Sequence, residues 1–239
     1  MIQKRKASSI VAGRKRESGK KKLTKYHTKL DKKMKSSSQA YLKRQAKDIY
    51  VKMAVEQGFR SRAAYKLVHL NGEYNLLKPG MSIVDLGCAP GSWLEVIEKE
   101  LGKNCTVIGM DKIAIEPVGD YNFIQGDFTE EETFNQVVDL CPKGVDLVLS
   151  DMAPETTGHR ETDHIRSMML ANIAVDFAYK ALKPGGNFVA KFFQGGEEQE
   201  MRNELRKHFD KVQFTKPESS RRESKEMFII CFGYKGKKD

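Results

Sequence analysis

The sequence of 239 residues is short of several things, and each shortage excludes something. Cysteine occurs four times, at Cys88, Cys105, Cys141 and Cys231, with no Cys-x-x-Cys pair. Such spacing suits neither a zinc cage nor a dense disulfide framework, so a reducing cytoplasm is the expected setting and no metal is expected. No run approaches the ~18 apolar residues of a membrane span, and the first residues lack the apolar stretch of a secretory signal, so neither membrane nor export is expected. Also missing are a Gly-x-Gly-x-x-Gly loop and a Gly-Lys-Ser/Thr loop, which argues against a dinucleotide dehydrogenase and an NTPase.

Acidic residues are scarce in the first fifth. Residues 1–50 carry 17 lysines and arginines against three acidic residues, whereas the remainder carries 25 basic against 29 acidic. The net charge of +10 therefore describes a near-neutral body with a cationic arm, whose expected partner is nucleic acid or another anionic surface. Residues 1–40, with Lys20-Lys21-Lys22 and Ser36-Ser37-Ser38, hold too little apolar surface to offset chain entropy. They are expected to be a disordered arm when unbound, and residues 41–236 the folded domain. An acid-poor start is also the composition of an organellar transit peptide, but the arm lacks the amphipathic apolar face of an import helix.

What is present is a regular alternation. Ala64, Leu67, Val68 and Tyr74 give a helical period within residues 61–77. Leu77-Lys78-Pro79-Gly80 then stops it, and residues 81–86 read as a short buried strand. The same punctuation recurs at Leu182-Lys183-Pro184-Gly185-Gly186, before a strand at 187–190. Between them strands are expected at 106–110, 122–125 and 145–150, and helices at 93–101, 130–140 and 165–182. A helix at 197–209 and strands at 212–214 and 227–232 follow, the last antiparallel because no helix separates the two. The expected fold class is α/β: a Rossmann-like, mostly parallel sheet with an antiparallel last strand and helices on both faces.

In such a sheet ligands collect at the carboxyl ends of strands. Five strands in succession end in notable residues: Asp85-Leu86-Gly87-Cys88-Ala89-Pro90-Gly91, then Asp111, Gly126-Asp127, Asp151 and Lys191. Gly87 and Gly91 belong to a loop that can approach a ligand closely. Asp111 is set to accept from ribose hydroxyls and Asp127 from an adenine amine. Together they suit an adenosine ligand without a polyphosphate, and S-adenosylmethionine is the obvious one. Trp93 reads equally as a packing residue and as a wall of the cofactor pocket.

These segments, with Ser92-Trp93, Gln125-Gly126-Asp127-Phe128, Ser150-Asp151-Met152-Ala153-Pro154 and Lys191-Phe192-Phe193-Gln194-Gly195, resemble the FtsJ/RrmJ (RlmE) family of ribosomal RNA 2'-O-methyltransferases. The resemblance runs over about residues 43–234 and includes Arg60-Ser61-Arg62-Ala63-Ala64-Tyr65-Lys66-Leu67 and Lys216-Pro217-Glu218-Ser219-Ser220-Arg221. It departs at Ser92, where a second glycine is usual, and at Glu155, where asparagine is usual. It implies a Rossmann-like methyltransferase fold, S-adenosylmethionine (bound through Gly87, Gly91, Trp93, Asp111, Asp127 and Asp151), and a catalytic tetrad of Lys66, Asp151, Lys191 and Glu226. It further implies a uridine of 23S large-subunit rRNA as substrate, in the A-loop of the assembled 50S particle; a monomer is expected, although oligomeric state is not readable from the sequence. A tRNA 2'-O-methyltransferase with the same tetrad, a non-catalytic ribosome-assembly factor and a small-molecule methyltransferase are the alternatives; the last leaves the cationic arm and paired lysines unexplained.

For the chemistry, Lys191 is expected to deprotonate or orient the 2'-hydroxyl, with Asp151 positioning it and Lys66 and Glu226 tuning charge. Burial and the Lys66 ammonium would lower the Lys191 pKa while Asp151 and Glu226 raise it, and the sequence leaves the balance open. The arm, Arg60, Arg62, Lys216, Arg221 and Arg222 are the expected phosphate contacts.

Overall fold

The computed structural model describes residues 48–196, 198–221 and 223–236. The expectations for residues 1–40 and for Arg222 lie outside the described residues. The chain divides into two units, Met1–Lys52 and Met53–Asp239, and the fold is that of the second.

Along the described residues the helices are α1 (Ile49–Gln57), α2 (Ala64–Tyr74), α3 (Ser92–Leu101), α4 (Glu131–Leu140), α5 (Arg160–Ala181) and α6 (Glu198–His208). The strands are β1 (Ser82–Leu86), β2 (Thr106–Asp111), β3 (Asn122–Gln125), β4 (Val145–Ser150), β5 (Leu182–Phe193), β6 (Phe209–Thr215) and β7 (Glu226–Tyr234). They form one seven-stranded sheet in the order β3-β2-β1-β4-β5-β7-β6. The first five are parallel, and β7 inserts antiparallel between β5 and β6. The alternation expected from the sequence is therefore the observed architecture, with its antiparallel end.

Strand residues alternate between two faces, as a period of two requires. Val84, Leu86, Val148, Phe188, Ala190, Ile229 and Cys231 share one buried core with α4, α5 and α6. Across the sheet, Trp93 of α3 packs on Phe228 of β7, and Leu94 closes over Gly109 of β2. Phe188, Phe192 and Phe228, on the β5–β7 pair, are fully buried. Each contributes about 1.5–3 kcal/mol of burial, so the half of the sheet that carries Lys191 is firmly anchored.

Two boundaries differ from the sequence expectation for identifiable reasons. Helix α5 begins at Arg160, a turn before the apolar period starts, because its first turn is polar. Asp163 there accepts from the Thr157 and Gly158 N–H groups and the Thr157 hydroxyl, which fixes the approach to the helix. Strand β5 already pairs at Leu182 with Val145, after which residues 183–186 bulge out before Asn187 rejoins opposite Leu147.

Strand order reverses between β1 and β4, whose carboxyl ends lie side by side with Leu86 opposite Ser150. Such a switch point leaves a crevice that no crossover helix covers. Here the crevice is a cavity lined by residues that include Asp85, Gly87, Ser92, Trp93 and Asp151.

Candidate active site

The cavity is framed first by the loop after β1. Gly87 has φ +68° and Gly91 φ +100°, a region that favours glycine. Both also lack space for a side chain: a Cβ on Gly87 would lie 2.3 Å from Met152 Cγ, and one on Gly91 2.6 Å from an Arg60 guanidinium nitrogen. Asp111, at the end of β2, fixes the loop by accepting from the Ala89 N–H (2.8 Å) and holds its own exit by accepting from the Ile113 N–H (2.9 Å). Asp127 accepts from the Thr129 N–H and hydroxyl at 3.1 and 2.7 Å and pairs with Lys112 at 2.6 Å. The Lys112 and Thr129 bonds pull its carboxyl down to about 2. It is a carboxylate, and an acceptor, throughout the neutral range. Trp93 is a packing residue that also lines the cavity: it is buried and its indole N–H donates to the Ala63 carbonyl at 2.9 Å.

Ser92, the departure from the usual glycine, is also buried, and its hydroxyl lies 2.8 Å from that of Ser61. The substitution thus links the cofactor-type loop to the segment leading into α2. Arg60 strengthens the same link and is not a free phosphate contact. Its backbone N–H and Nε donate to Glu95 at 2.8 and 3.1 Å, and its terminal nitrogens donate to the carbonyls of Pro90, Glu116 and Pro117. Its donors are satisfied by carbonyls and a carboxylate, so it braces the loop.

Asp151, which lines the cavity, belongs to the group of four residues implied by the family resemblance. Lys66 comes from the first turn of α2, Asp151 follows β4, Lys191 lies near the end of β5 and Glu226 opens β7. They converge. Lys66 Nζ is 3.1 and 3.2 Å from the Asp151 oxygens and 2.7 Å from Glu226 Oε2. Lys191 Nζ is 2.9 Å from Asp151 Oδ1 and donates to the Asp151 carbonyl at 2.6 Å. Glu226 Oε1 accepts from the Ser220 hydroxyl at 2.7 Å.

The two lysines are not equivalent. Burial opposes charge on both, but Lys66 faces two carboxylates, which more than offset the desolvation, and its pKa is raised. Lys191 is only 5% exposed, has one direct carboxylate partner and is repelled by Lys66, and its pKa is lowered. The balance the sequence left open thus falls toward the free amine. Burial alone would raise Asp151, but Lys191 and Lys66 together hold it below the usual carboxylate range.

Asp85 was visible in the sequence only as a strand end. It is 1% exposed, its Oδ2 has no hydrogen-bond partner, and burial, with Asp151 and Asp111 adding repulsion, pushes its pKa far up. A carboxyl pushed toward its neutral form therefore sits in the cavity wall next to one held toward its ionised form. No lysine or arginine lines the cavity among the described residues, so its chemistry does not suit a polyphosphate. Of the sequence-predicted cofactor residues, Gly87, Trp93 and Asp151 line the cavity, while Asp111 and Asp127 stand outside it, at the end of β2 and just beyond β3.

Known proteins resemble this chain over most of its length. The pattern of FtsJ-like methyltransferases matches residues 59–234. The ribosomal RNA large subunit methyltransferase E of Acidiphilium cryptum is 46% identical over 204 residues, 85% of this chain and 89% of the relative. That of Pseudomonas fluorescens is 44% identical over 204 residues, 85% and 98% of the two chains. Among solved structures, a ribosomal RNA methyltransferase from Plasmodium falciparum superposes with a TM-score of 0.69 at 30% identity, covering 75% of this chain and all of that one. A pattern that spans every strand of the sheet and all four converging residues makes this chain a member of the FtsJ-like methyltransferase family, and a methyltransferase.

Proposed function

We propose that the enzyme transfers a methyl group from S-adenosylmethionine to the ribose 2'-hydroxyl of a uridine in 23S large-subunit ribosomal RNA, in the A-loop of the assembled 50S particle. The observation that carries this reading is a lysine with a lowered pKa, held by Asp151 beside the glycine-loop cavity at the switch point of the sheet. The relatives' names supply the RNA class.

Gly87, Gly91, Trp93, Asp111, Asp127 and Asp151 would hold the cofactor. Bound there, it supplies an electrophilic methyl group on a sulfonium. Lys191 supplies the base. As a neutral amine it has two N–H groups, and Asp151 Oδ1 and the Asp151 carbonyl accept both. That leaves the nitrogen lone pair as the one group not committed to Asp151, and it takes the 2'-hydroxyl proton as the oxygen attacks. Asp151 thereby sets the direction of the base. Lys66 remains an ammonium, pairs Asp151 with Glu226 and opposes protonation of Lys191. General-base catalysis of this kind contributes roughly 10²–10⁴-fold.

Arg62 and Lys216 donate to the Ser219 and Ser224 carbonyls, and Arg221 is half-buried, so the basic arm supplies most of the phosphate contact. Mapping ribose methylation by mass spectrometry, in rRNA and tRNA from cells with and without the gene, tests the assignment. Loss of one 2'-O-methyluridine from the A-loop is the expected result, and loss confined to tRNA would overturn the substrate. Deleting residues 1–40 should weaken RNA binding and flatten its log-log salt dependence while sparing cofactor affinity; an unchanged slope would remove the arm from the interface.

A further inference from the structure

The loop at residues 217–221 holds two serines that are almost fully buried, Ser219 at 1% and Ser220 at 7% exposure. Among the described residues the Ser219 hydroxyl has no hydrogen-bond partner, but the Ser219 main chain and the Ser220 hydroxyl have partners that lead to one place. The Ser219 N–H donates to His69 Nδ1 at 3.1 Å, and the Ser219 carbonyl accepts from the Arg62 guanidinium. The Ser220 N–H closes the turn on the Pro217 carbonyl at 2.9 Å. Arg62 and His69 flank Lys66 in sequence, so the segment that presents Lys66 also grips the loop that presents Ser220.

Ser220 then reaches the fourth residue of the tetrad. Its hydroxyl donates to Glu226 Oε1 at 2.7 Å, while Lys66 donates to Oε2 at 2.7 Å. Glu226 is fixed on the main-chain side as well, its N–H donating to the Ser224 hydroxyl at 3.1 Å. Each carboxylate oxygen therefore has its own donor, one neutral and one cationic. A neutral donor matters: it satisfies Oε1 without adding a second cation that would compete with Lys66. Without it, a largely buried carboxylate has an oxygen to satisfy and only Lys66 within reach. Both oxygens would then draw on Lys66, pulling the ammonium from Asp151 and changing the charge that Lys191 senses.

We infer that Ser220 is a positioning residue for methyl transfer, acting through Glu226 to hold Lys66 against Asp151. The inference rests on the tetrad reading given above, and the experiment separates the two. Single-turnover methyl transfer is measured for Ser220→Ala, Ser220→Thr, Glu226→Gln and the double variant Ser220→Ala/Glu226→Gln, with cofactor affinity and melting temperature recorded for each. Ser220→Ala should lower kcat about tenfold, the size of one hydrogen bond to a charged group, with the RNA KM and cofactor affinity unchanged. Ser220→Thr, which keeps the hydroxyl, should recover most of that loss. In the Glu226→Gln background the serine substitution should have no further effect, because its partner is already uncharged. A merely structural serine would give losses that multiply in the double variant, or lower melting temperature and affinity together with kcat; either result overturns the inference, as does an undiminished kcat in Ser220→Ala. Should that variant fold poorly, Ser220→Cys, of similar volume and with a feeble donor, carries the same comparison. If Glu226→Gln itself leaves kcat unchanged, the tetrad reading falls and the role of Ser220 falls with it.

Discussion

Asp85 and Asp151 lie at the ends of neighbouring strands, both largely withdrawn from water, and their pKa values move in opposite directions. Among the described residues no cation stands beside Asp85 and two carboxylates lie nearby, so burial governs and the neutral acid is favoured. Asp151 bridges two lysines, which outweigh burial and keep it ionised. On the proposed mechanism the β1–β2–β3 half of the rim would hold a ligand by hydrogen bonds, and the β4–β5–β7 half would move a proton. A carboxylate at a strand end does not reveal its own charge; the cations that the rest of the fold brings to it decide.

The largest way to break this contrast is at the base itself. Lys191→Ala should retain cofactor binding and lose roughly 10²–10⁴-fold in methyl transfer to authentic RNA, and near-normal turnover would end the assignment. Next comes the matched pair of neutral substitutions. Asp151→Asn removes the carboxylate between two buried lysines, one of them the Lys66 ammonium, and should cost about 3 kcal/mol in chemical denaturation, whereas Asp85→Asn replaces a carboxyl that burial already pushes toward its neutral form and should cost less than about 1 kcal/mol. Equal losses would erase the distinction between the two halves. A smaller effect tests the loop: Gly91→Ala must take a backbone near φ +100° and meet Arg60, so cofactor affinity should fall about tenfold by calorimetry. The subtlest concerns pH. Asp85 binds its proton more tightly when folded, so its contribution to stability falls as pH rises above about 4, and Asp85→Asn should remove that slope between pH 4 and 7. A stability curve of the same slope in the variant would show Asp85 to be ionised.

Much of this was legible in the sequence because strand-and-helix alternation and Pro-Gly punctuation are local signals. Val145 to Ser150 and the Asn122 to Gln125 strand are read from apolar runs alone, and Asp111, Asp127, Asp151 and Lys191 follow as strand ends. Lys66 and Glu226 entered only through the family resemblance, since a single charge on a helix or at a strand start has no local signature. Pairwise geometry was not legible at all. Arg60 reads as a phosphate contact until Glu95 and three carbonyls are seen to absorb its donors. Ser220 reads as a loop serine until β7 brings Glu226 back beside it. The direction of the Lys191 shift depends on burial and on one repelling ammonium, both tertiary quantities.

The central claim is that burial, reinforced by the neighbouring Lys66 ammonium, pushes Lys191 toward the free amine that methyl transfer needs, and the pH dependence of single-turnover methyl transfer tests this most directly. In the unaltered enzyme the rate should rise with pH through a limb lying below the ordinary lysine value of 10.5. Lys66→Met removes the repelling charge and leaves Asp151 and Glu226 to act on Lys191 without a competing cation. All three changes favour the Lys191 ammonium, so the limb should move to higher pH. A limb that stays in place, or moves down, would contradict the account.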